Sequence, residues 1–298
     1  MIHHLIRAAI LTGFAMFILY LDRTGEMSLY IAPRMELYVK LSALGLYAAA
    51  VYQIYAALQK RMGRQTPDCD CGHEPSRSIL KNTLIYGLFI FPLLLGFLVP
   101  TGTLGSALAA KKGVSLTGSA AIERPALPEE TGANPDPAAP PADAPPPEDS
   151  LDSLFPSDEY TEDHAAYGKQ LVREPVISVP EKQFIETLTT LDLFREAFIG
   201  KEVELTGFVY REDDMGEGRF AVSRFAMNCC SADAMPYGLM IEWPKAIDYA
   251  NDEWVTVKGK LVASTYLENE IIMLEATKLE RVEAPESPYV YPDLEFGM

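Results

Sequence analysis

The sequence predicts a two-part protein, in which an N-terminal α-helical transmembrane domain precedes a C-terminal α+β or all-β domain built on a small five-stranded OB-like barrel. Three observations lead to this fold class. Three long apolar stretches lie before residue 112, a proline-rich and alanine-rich acidic segment follows, and the rest of the chain holds five strand-like runs. The domain boundaries predicted from these observations are 1–112 for the transmembrane domain, 113–159 for the linker and 160–298 for the soluble domain.

The three apolar stretches are predicted to be membrane-spanning helices at 5–21, 37–58 and 79–99. A helix needs about 17–25 mostly apolar residues to cross a hydrocarbon core of about 30 Å. The third stretch is the clearest, because its only charge, Lys81, lies near its start. The first is short and carries Arg7, so a cleaved signal peptide is the alternative. No convincing small-residue cleavage site precedes Asp22, which favours a retained span.

The distribution of charge predicts the orientation in the membrane. With three spans, the N-terminus and the loop 59–78 lie on the same side, and that loop carries four basic residues, Lys60, Arg61, Arg64 and Arg77. The opposite loop, 22–36, has two basic and three acidic residues. The positive-inside rule then places the loop 59–78 in the cytoplasm and the C-terminal domain outside it, in a multi-pass protein of the plasma membrane. Lys111 and Lys112 argue weakly for the reverse.

The two halves of the chain carry opposite net charge. Residues 1–112 have 11 basic and 6 acidic side chains, whereas the remainder has 14 basic and 36 acidic. So acidic a C-terminal half repels phosphate backbones, which argues against nucleic acid as a partner. The segment NPDPAAPPADAPPPED within 113–159 is too poor in apolar residues to fold and is predicted to be a semi-extended spacer.

The soluble domain is predicted to begin with a strand at 175–179 and an amphipathic helix from Pro180, whose apolar residues fall close to helical spacing. Five strand-like runs follow, at 203–210, 219–225, 238–243, 254–263 and 271–279, with a short helix at 245–249. Five strands with a helix between the third and the fourth have the order and size of an OB barrel. Gly207 and Gly259 lie inside two of these runs, where a sharply bent strand needs a residue without a side chain.

The first group of residues that can carry chemistry lies in the predicted cytoplasmic loop. Cys69, Asp70, Cys71 and His73 fall within five residues and supply thiolate, imidazole and carboxylate groups, the ligands that zinc or another divalent metal takes. The spacing is not that of a zinc finger, so the expected site is open and is completed by a partner. The alternative is a polar loop whose cysteines stay reduced in the cytosol.

The second group follows the second strand-like run. It contains Arg224, Cys229, Cys230 and Asp233. A disulfide between adjacent cysteines needs a strained eight-membered ring, so two neighbouring thiols in an oxidising compartment call for another role. Metal or ligand binding with Asp233 is one such role, and thiol chemistry assisted by Arg224 is another. The structural alternative is that both cysteines are small buried residues and that Arg224 pairs with Asp233.

The chain resembles the YcgQ-like family of bacterial membrane proteins, described as subunits of a two-component membrane permease complex. The stretches that carry the resemblance are Tyr30–Met35, Cys69–His73, Gly200–Tyr210, Ser223–Phe225 and Asn228–Ala234. The double cysteine flanked by arginine and aspartate is the most specific of them. The resemblance implies a larger polytopic permease subunit as the partner. The loop at Cys69–His73 departs from the family in having a single histidine, which puts a closed metal site there in doubt.

Three functional hypotheses follow. The first is a non-enzymatic accessory subunit, anchored in the lipid bilayer beside its permease, whose extracytoplasmic domain binds a ligand, a metal ion or the outer face of the permease. The second is an envelope enzyme that handles thiols or metals through Cys229 and Cys230. The third is a structural envelope protein without a ligand. Against the second, the only histidine of the soluble domain is His164, and no arrangement of nucleophile and base is evident.

Overall fold

The computed structural model describes residues 2–62, 78–99, 102, 105–116 and 148–298. The chain divides into two compact units. The first consists of Met1–Thr103 together with the short segment Cys229–Ala232, and the second consists of Leu104–Asn228 and Asp233–Met298.

The first unit contains three long helices, α1 (Ile2–Thr24), α2 (Pro33–Arg61) and α3 (Ile79–Leu98). All three are long and apolar enough to cross a membrane. A short 3₁₀ helix, Glu26–Leu29, and the segment 30–32 join α1 to α2, which begins at Pro33, a residue suited to the first turn of a helix. Each predicted span is therefore confirmed as one helix, and the structure extends the first two at both ends.

Close packing joins α1 to α3. A Cβ atom at Gly13 would lie 2.5 Å from Leu93 Cδ2, and one at Gly96 would lie 2.7 Å from Phe17 Cζ. Phe17 also meets Phe97 edge to face, with ring centroids 5.1 Å apart. The absence of a side chain at Gly13 and Gly96 therefore lets the two helices approach, as small residues do in membrane helix packing.

The second unit is a mixed α/β domain with a seven-stranded sheet. Its helices are α4 (Ser106–Lys112), α5 (Glu148–Leu154), α6 (Glu162–Leu171), α7 (Phe184–Leu193) and α8 (Arg195–Phe198). Its strands are β1 (Val176–Ser178), β2 (Glu202–Tyr210), β3 (Arg219–Ala226), β4 (Met235–Glu242), β5 (Trp254–Tyr266), β6 (Asn269–Arg281) and β7 (Tyr289–Val290).

The strands follow the order β1-β2-β5-β6-β4-β3-β7, and β2 also pairs with β3. Most pairs are antiparallel, whereas β1–β2, β4–β6 and β3–β7 are parallel. A two-residue turn joins β5 to β6 at Leu267 and Glu268, whose φ angles of 47° and 66° are those of a primed hairpin turn. All five predicted runs are strands, and the predicted helix after residue 180 is α7.

The core of the second unit lies between the sheet and its helices. Its largest fully buried side chains include Phe155, Phe184, Phe198, Phe220 and Phe225. Phe155 meets the rings of Phe194 and Phe198 edge to face, with centroids 5.1 and 5.7 Å away, and so joins the end of α5 to α8. Burial of such aromatic side chains is the main source of stability in a domain of this size.

The described residues on either side of the proline-rich segment both belong to the second unit. Ser115 N donates to Pro236 O at 2.9 Å and Gly238 N donates to Ser115 O, which adds this segment to β4. On the other side, Leu151 and Phe155 lie in the core cluster. The range 113–159 assigned to the linker thus includes residues that pack in the second unit, and the proline-rich sequence itself, within 117–147, lies outside the described residues.

A buried carboxyl group fixes the C-terminal segment on α7. Glu186 is 6% exposed, and its Oε1 accepts a hydrogen bond of 2.8 Å from Asp293 N. Its Oε2 has no hydrogen-bond partner among the described residues. Phe296 of the same segment packs on His164 and Tyr167 of α6. Burial raises the pKa of Glu186, and the hydrogen bond from Asp293 N opposes this in part.

The first prediction concerns the pH dependence of this contact. Because the pKa of Glu186 is raised on folding, its contribution to stability is complete at low pH and is lost as the pH rises above the ordinary value of 4.5. Glu186→Gln keeps an oxygen for Asp293 N but cannot ionise. We expect the variant to lose less stability than the wild type between about pH 5 and about pH 8.

Thermal unfolding followed by tryptophan fluorescence measures this effect, since both tryptophans, Trp243 and Trp254, lie in the second unit. Glu196→Gln, at an exposed position on α8, is the matched control. An identical pH dependence in Glu186→Gln and the wild type would show that the buried carboxyl stays neutral or is compensated.

The second prediction concerns the packing of α1 on α3. Gly13→Leu inserts a side chain where Leu93 already lies, and overpacking of this kind costs about 1–3 kcal/mol. Gly45→Leu is the control, because a Cβ atom at Gly45 has no neighbour within 4 Å in the described structure. We expect Gly13→Leu, but not Gly45→Leu, to lower the temperature at which the detergent-solubilised protein aggregates. Equal losses in both variants would contradict the packing.

Candidate metal centre

The double cysteine lies in the loop that joins β3 to β4, and hydrogen bonds fix both ends of this loop. Where the loop leaves β3, Met227 N donates to Val290 O of β7 at 2.9 Å. Asn228 N donates to Asp233 Oδ1 at 3.0 Å, so that the aspartate closes the loop on its own backbone. Lys112 Nζ donates to Ala234 O at 2.7 Å, just before β4 begins. The loop is therefore a compact turn.

The two thiols converge within this loop. Cys229 is exposed, Cys230 is partly buried, and neither forms a disulfide with another described residue. Their Sγ atoms are 3.6 Å apart. The two Sγ atoms and a carboxylate oxygen of Asp233 all lie within 4.8 Å of one another. Two thiols and a carboxylate at this spacing form a group that can hold a metal ion.

The backbone of the double cysteine is paired with the connection between α1 and α2. The segment Cys229–Ala232 belongs to the first unit, where Ile31 and Cys230 form an antiparallel bridge. Ala32 N donates to Cys229 O at 3.1 Å, and Ser231 N donates to Tyr30 O at 2.8 Å. The main chain on both sides of Cys230 is thereby held by two hydrogen bonds.

Arg224 lies on β3, five residues before the first cysteine, and is 4% exposed. Its guanidinium donates to Ser287 O and forms an ion pair of 3.3 Å with Glu181. It also lies over the ring of Trp254, with its Cζ 5.7 Å from the ring centroid. These contacts give Arg224 a structural role at the end of β3, where it joins the strand to the segment that precedes β7.

Asp233 is the residue that the structural alternative paired with Arg224. Its Oδ1 accepts the hydrogen bond from Asn228 N, and the aspartate belongs to the group with the two thiols. A carboxylate oriented in this way by a backbone N–H resembles a metal ligand with a supporting hydrogen bond.

The first group of candidate ligands, Cys69, Asp70, Cys71 and His73, predicted to be cytoplasmic, lies outside the described residues. The remaining histidine of interest, His164, is on α6. Its Nδ1 is 2.8 Å from Thr190 Oγ1, which itself donates to Glu186 O, so Nδ1 carries the proton in this contact. Burial lowers the pKa of His164.

Sequence reasoning missed the residues that hold the loop. The pairing of 30–32 with 229–231 joins segments about two hundred residues apart, and no local pattern predicts such a contact. One signal was present, because both segments belong to the stretches in which the chain resembles a known family. Glu181 and Ser287, the partners of Arg224, carried no signal of this kind.

Comparison with known proteins covers both parts of the chain. Residues 6–115 match the DUF1980 N-terminal domain, and residues 154–292 match the DUF1980 C-terminal domain. The chain is 25% identical over 302 residues to "UPF0703 protein YcgQ" of Bacillus subtilis, covering 96% of this chain and 98% of the relative. It is 24% identical over 289 residues to a Streptococcus mutans protein named "Putative two-component membrane permease complex subunit", covering 96% and 99%. The chain therefore belongs to the DUF1980 (UPF0703) family.

Proposed function

We propose that the protein is a membrane-anchored accessory subunit of a two-component permease complex. The observation that carries the proposal is the match to the Streptococcus mutans protein of that name, which extends over nearly the whole of both chains. The three helices that are able to span a membrane agree with an anchored subunit. Its partner is a larger polytopic permease in the same lipid bilayer, and nucleic acid has no place in the complex.

The orientation in this proposal follows from charge. The basic loop 59–78 lies in the cytoplasm, and the acidic second unit lies outside the plasma membrane. All 36 acidic side chains of residues 113–298 belong to the second unit, and this excess of negative charge attracts cations toward the complex.

The sheet of the second unit is proposed to close as an OB-like barrel. Five strands form a ring, because β2 pairs with β5, β5 with β6, β6 with β4, β4 with β3, and β3 again with β2. The parallel pairing of β4 with β6 and the 3₁₀ helix Ala246–Asp248 between β4 and β5 agree with that topology. Such barrels hold ligands at their loops, and the loop after β3 is the candidate here.

The role proposed for the loop 227–234 is to bind a ligand, with zinc or another divalent metal as the first candidate. The support is the group formed by Cys229, Cys230 and Asp233, whose donor atoms lie within 4.8 Å of one another. Sulfur and carboxylate oxygen together suit borderline-soft cations. No catalytic step is assigned to this group, and the protein is proposed to act without enzymatic activity of its own.

A second candidate function is an envelope enzyme that handles thiols or metals. The observation in its favour is the pair of converging thiols, 3.6 Å apart, with Cys229 exposed to solvent. Such a pair can exchange with an external disulfide. The one histidine of the second unit, His164, does not supply a base for these thiols, because on α6 it contacts Thr190 and the ring of Phe296.

The third prediction tests the complex itself. Mild solubilisation of native membranes and affinity purification of the intact protein should recover one polytopic membrane protein in a fixed ratio. The expected result is that Gly13→Leu reduces this recovery more than Gly45→Leu, because disturbed packing of α1 on α3 alters the surface that a membrane partner contacts. Repeated recovery of the protein alone would overturn the proposal.

The fourth prediction separates the subunit from the enzyme. Cys229→Ser and Cys230→Ser should leave the recovery of the polytopic partner unchanged, because both side chains lie in a loop and outside the three candidate spans. A thiol-exchange enzyme would instead reduce an external disulfide. Either variant would lose that activity. Disulfide reduction by the wild type at a catalytic rate would favour the second candidate.

A further inference from the structure

We infer that the loop Cys229–Asp233 is an exchange site for a borderline-soft divalent cation of the Zn²⁺ class, and that this class of cation is what the permease complex handles. The inference rests on the proposed function, since it names the substrate class of that complex. It is carried by the spacing, the chemistry and the accessibility of the three donor groups.

The spacing of the thiols fits a tetrahedral ion. Two sulfur atoms bound to one zinc ion at about 2.3 Å each, at the tetrahedral angle, lie about 3.8 Å apart. The Sγ atoms of Cys229 and Cys230 are 3.6 Å apart. An ion bound linearly between two thiolates would need the sulfurs about twice the metal–sulfur distance apart, or about 4.6 Å. The observed spacing therefore favours tetrahedral over linear binding.

The donor types narrow the class of cation further. Ca²⁺ and Mg²⁺ take about six or more oxygen ligands and gain nothing from thiolates. Ions that prefer sulfur alone gain little from a carboxylate. A group with two thiolates and the carboxylate of Asp233 lies between these classes, and Zn²⁺ binds both kinds of donor.

Hydrogen bonds hold the ligands in position before any ion binds. Asn228 N donates to one oxygen of Asp233 and so orients the carboxylate beside the two thiols. The backbone on both sides of Cys230 is held through Cys229 O and Ser231 N by the segment 30–32. A site ordered in this way loses little conformational entropy on binding.

The number and exposure of the ligands indicate exchange and argue against a structural metal. Structural zinc sites are closed by four protein ligands, whereas a site with three protein ligands keeps a position open for water or another ligand. The group described here supplies three donors, and Cys229 is exposed. The part of the chain that carries these residues, 113–298, is strongly acidic, and a high density of negative charge raises the local concentration of cations. A cation can therefore enter the site from solvent and leave it again.

Binding is tested on the full-length protein in detergent, with Co²⁺ as the spectroscopic probe and Zn²⁺ as the competitor. We expect one Co²⁺ per chain with a sulfur-to-cobalt charge-transfer band, displaced by Zn²⁺ and unaffected by excess Mg²⁺. Cys229→Ser, Cys230→Ser and Asp233→Asn should each lower the Zn²⁺ affinity at least about tenfold, since even changes to groups that support a ligand cost about 10- to 100-fold. Asp233→Asn keeps the oxygen that accepts from Asn228 N. A loss of Zn²⁺ affinity in this variant therefore reports the missing negative charge of the carboxylate.

Ser231→Ala is the matched control, because Ser231 lies in the same loop and contributes its backbone N–H to the pairing with Tyr30. Tryptophan fluorescence confirms that each variant is folded. The other metal-ligand group of the chain is silenced in all samples by Cys69→Ser and Cys71→Ser. A folded protein that binds neither Co²⁺ nor Zn²⁺ in this background would overturn the inference.

Transport is tested in membrane vesicles from the native host, by following radiolabelled zinc. We expect zinc movement to depend on the protein, to fall in Cys229→Ser and Cys230→Ser, and to persist in Ser231→Ala. Zinc binding with unchanged zinc movement in the cysteine variants would overturn the assignment of the cation as substrate. If the polytopic partner is recovered while binding fails, the proposed function stands and this inference falls. If binding holds and no partner is recovered, the proposed function falls.

Discussion

The strand β3 is held along both of its edges, and the position of the candidate site depends on that constraint. All eight residues of β3 pair with β4 on one edge. On the other edge, residues 221–223 pair with β2 and residues 225–226 pair with β7. Two neighbouring glycines allow this arrangement, because a Cβ atom at Gly207 would lie 2.5 Å from Ser223 O and one at Gly238 would overlap Val222 O. The loop of the double cysteine therefore leaves the sheet from a fixed point.

Arg224 extends this constraint into the site. A guanidinium buried on β3 would destabilise the domain unless it were paired, since an uncompensated charge is costly to bury. Ser287 O, Glu181 and the face of Trp254 compensate it together, and these groups come from three different parts of the chain. The same contacts hold the segment that precedes β7. In β7 itself, Val290 O accepts a hydrogen bond from Met227 N at the start of the loop. Arg224 therefore supports the start of the loop through these contacts. Its effect on the ionisation of a thiol, which the sequence suggested, stays a prediction.

The sequence predicted the elements whose signal is local. The apolar stretches gave three helices, and alternation gave the five long strands, because a half-buried strand repeats its polarity every two residues. It missed α5 and α6, which lie directly after a proline-rich segment and owe their stability to tertiary contacts such as that of Phe155 with Phe194. It also missed β7, a two-residue strand defined only by its neighbour. The sequence named Cys229, Cys230 and Asp233 as candidate ligands, and the structure places their donor atoms within 4.8 Å of one another. The pairing of 30–32 with 229–231 depends on the folded chain, so no local pattern predicts it.

Because the two cysteines are adjacent in the chain, the geometry of the loop decides whether their sulfurs bond to each other or share a bound ion. In an extended strand, neighbouring side chains point to opposite faces, so two adjacent thiols would diverge. Here the turn closed by Asp233 brings the two Sγ atoms to 3.6 Å. A bond between these sulfurs would need the strained eight-membered ring of a disulfide between neighbours. An ion placed between them closes a larger, nine-membered ring, in which each sulfur keeps its own bond to the metal and the two sulfurs stay at non-bonded separation. The separation of 3.6 Å therefore fits two sulfurs that share a bound atom better than two sulfurs bonded to each other.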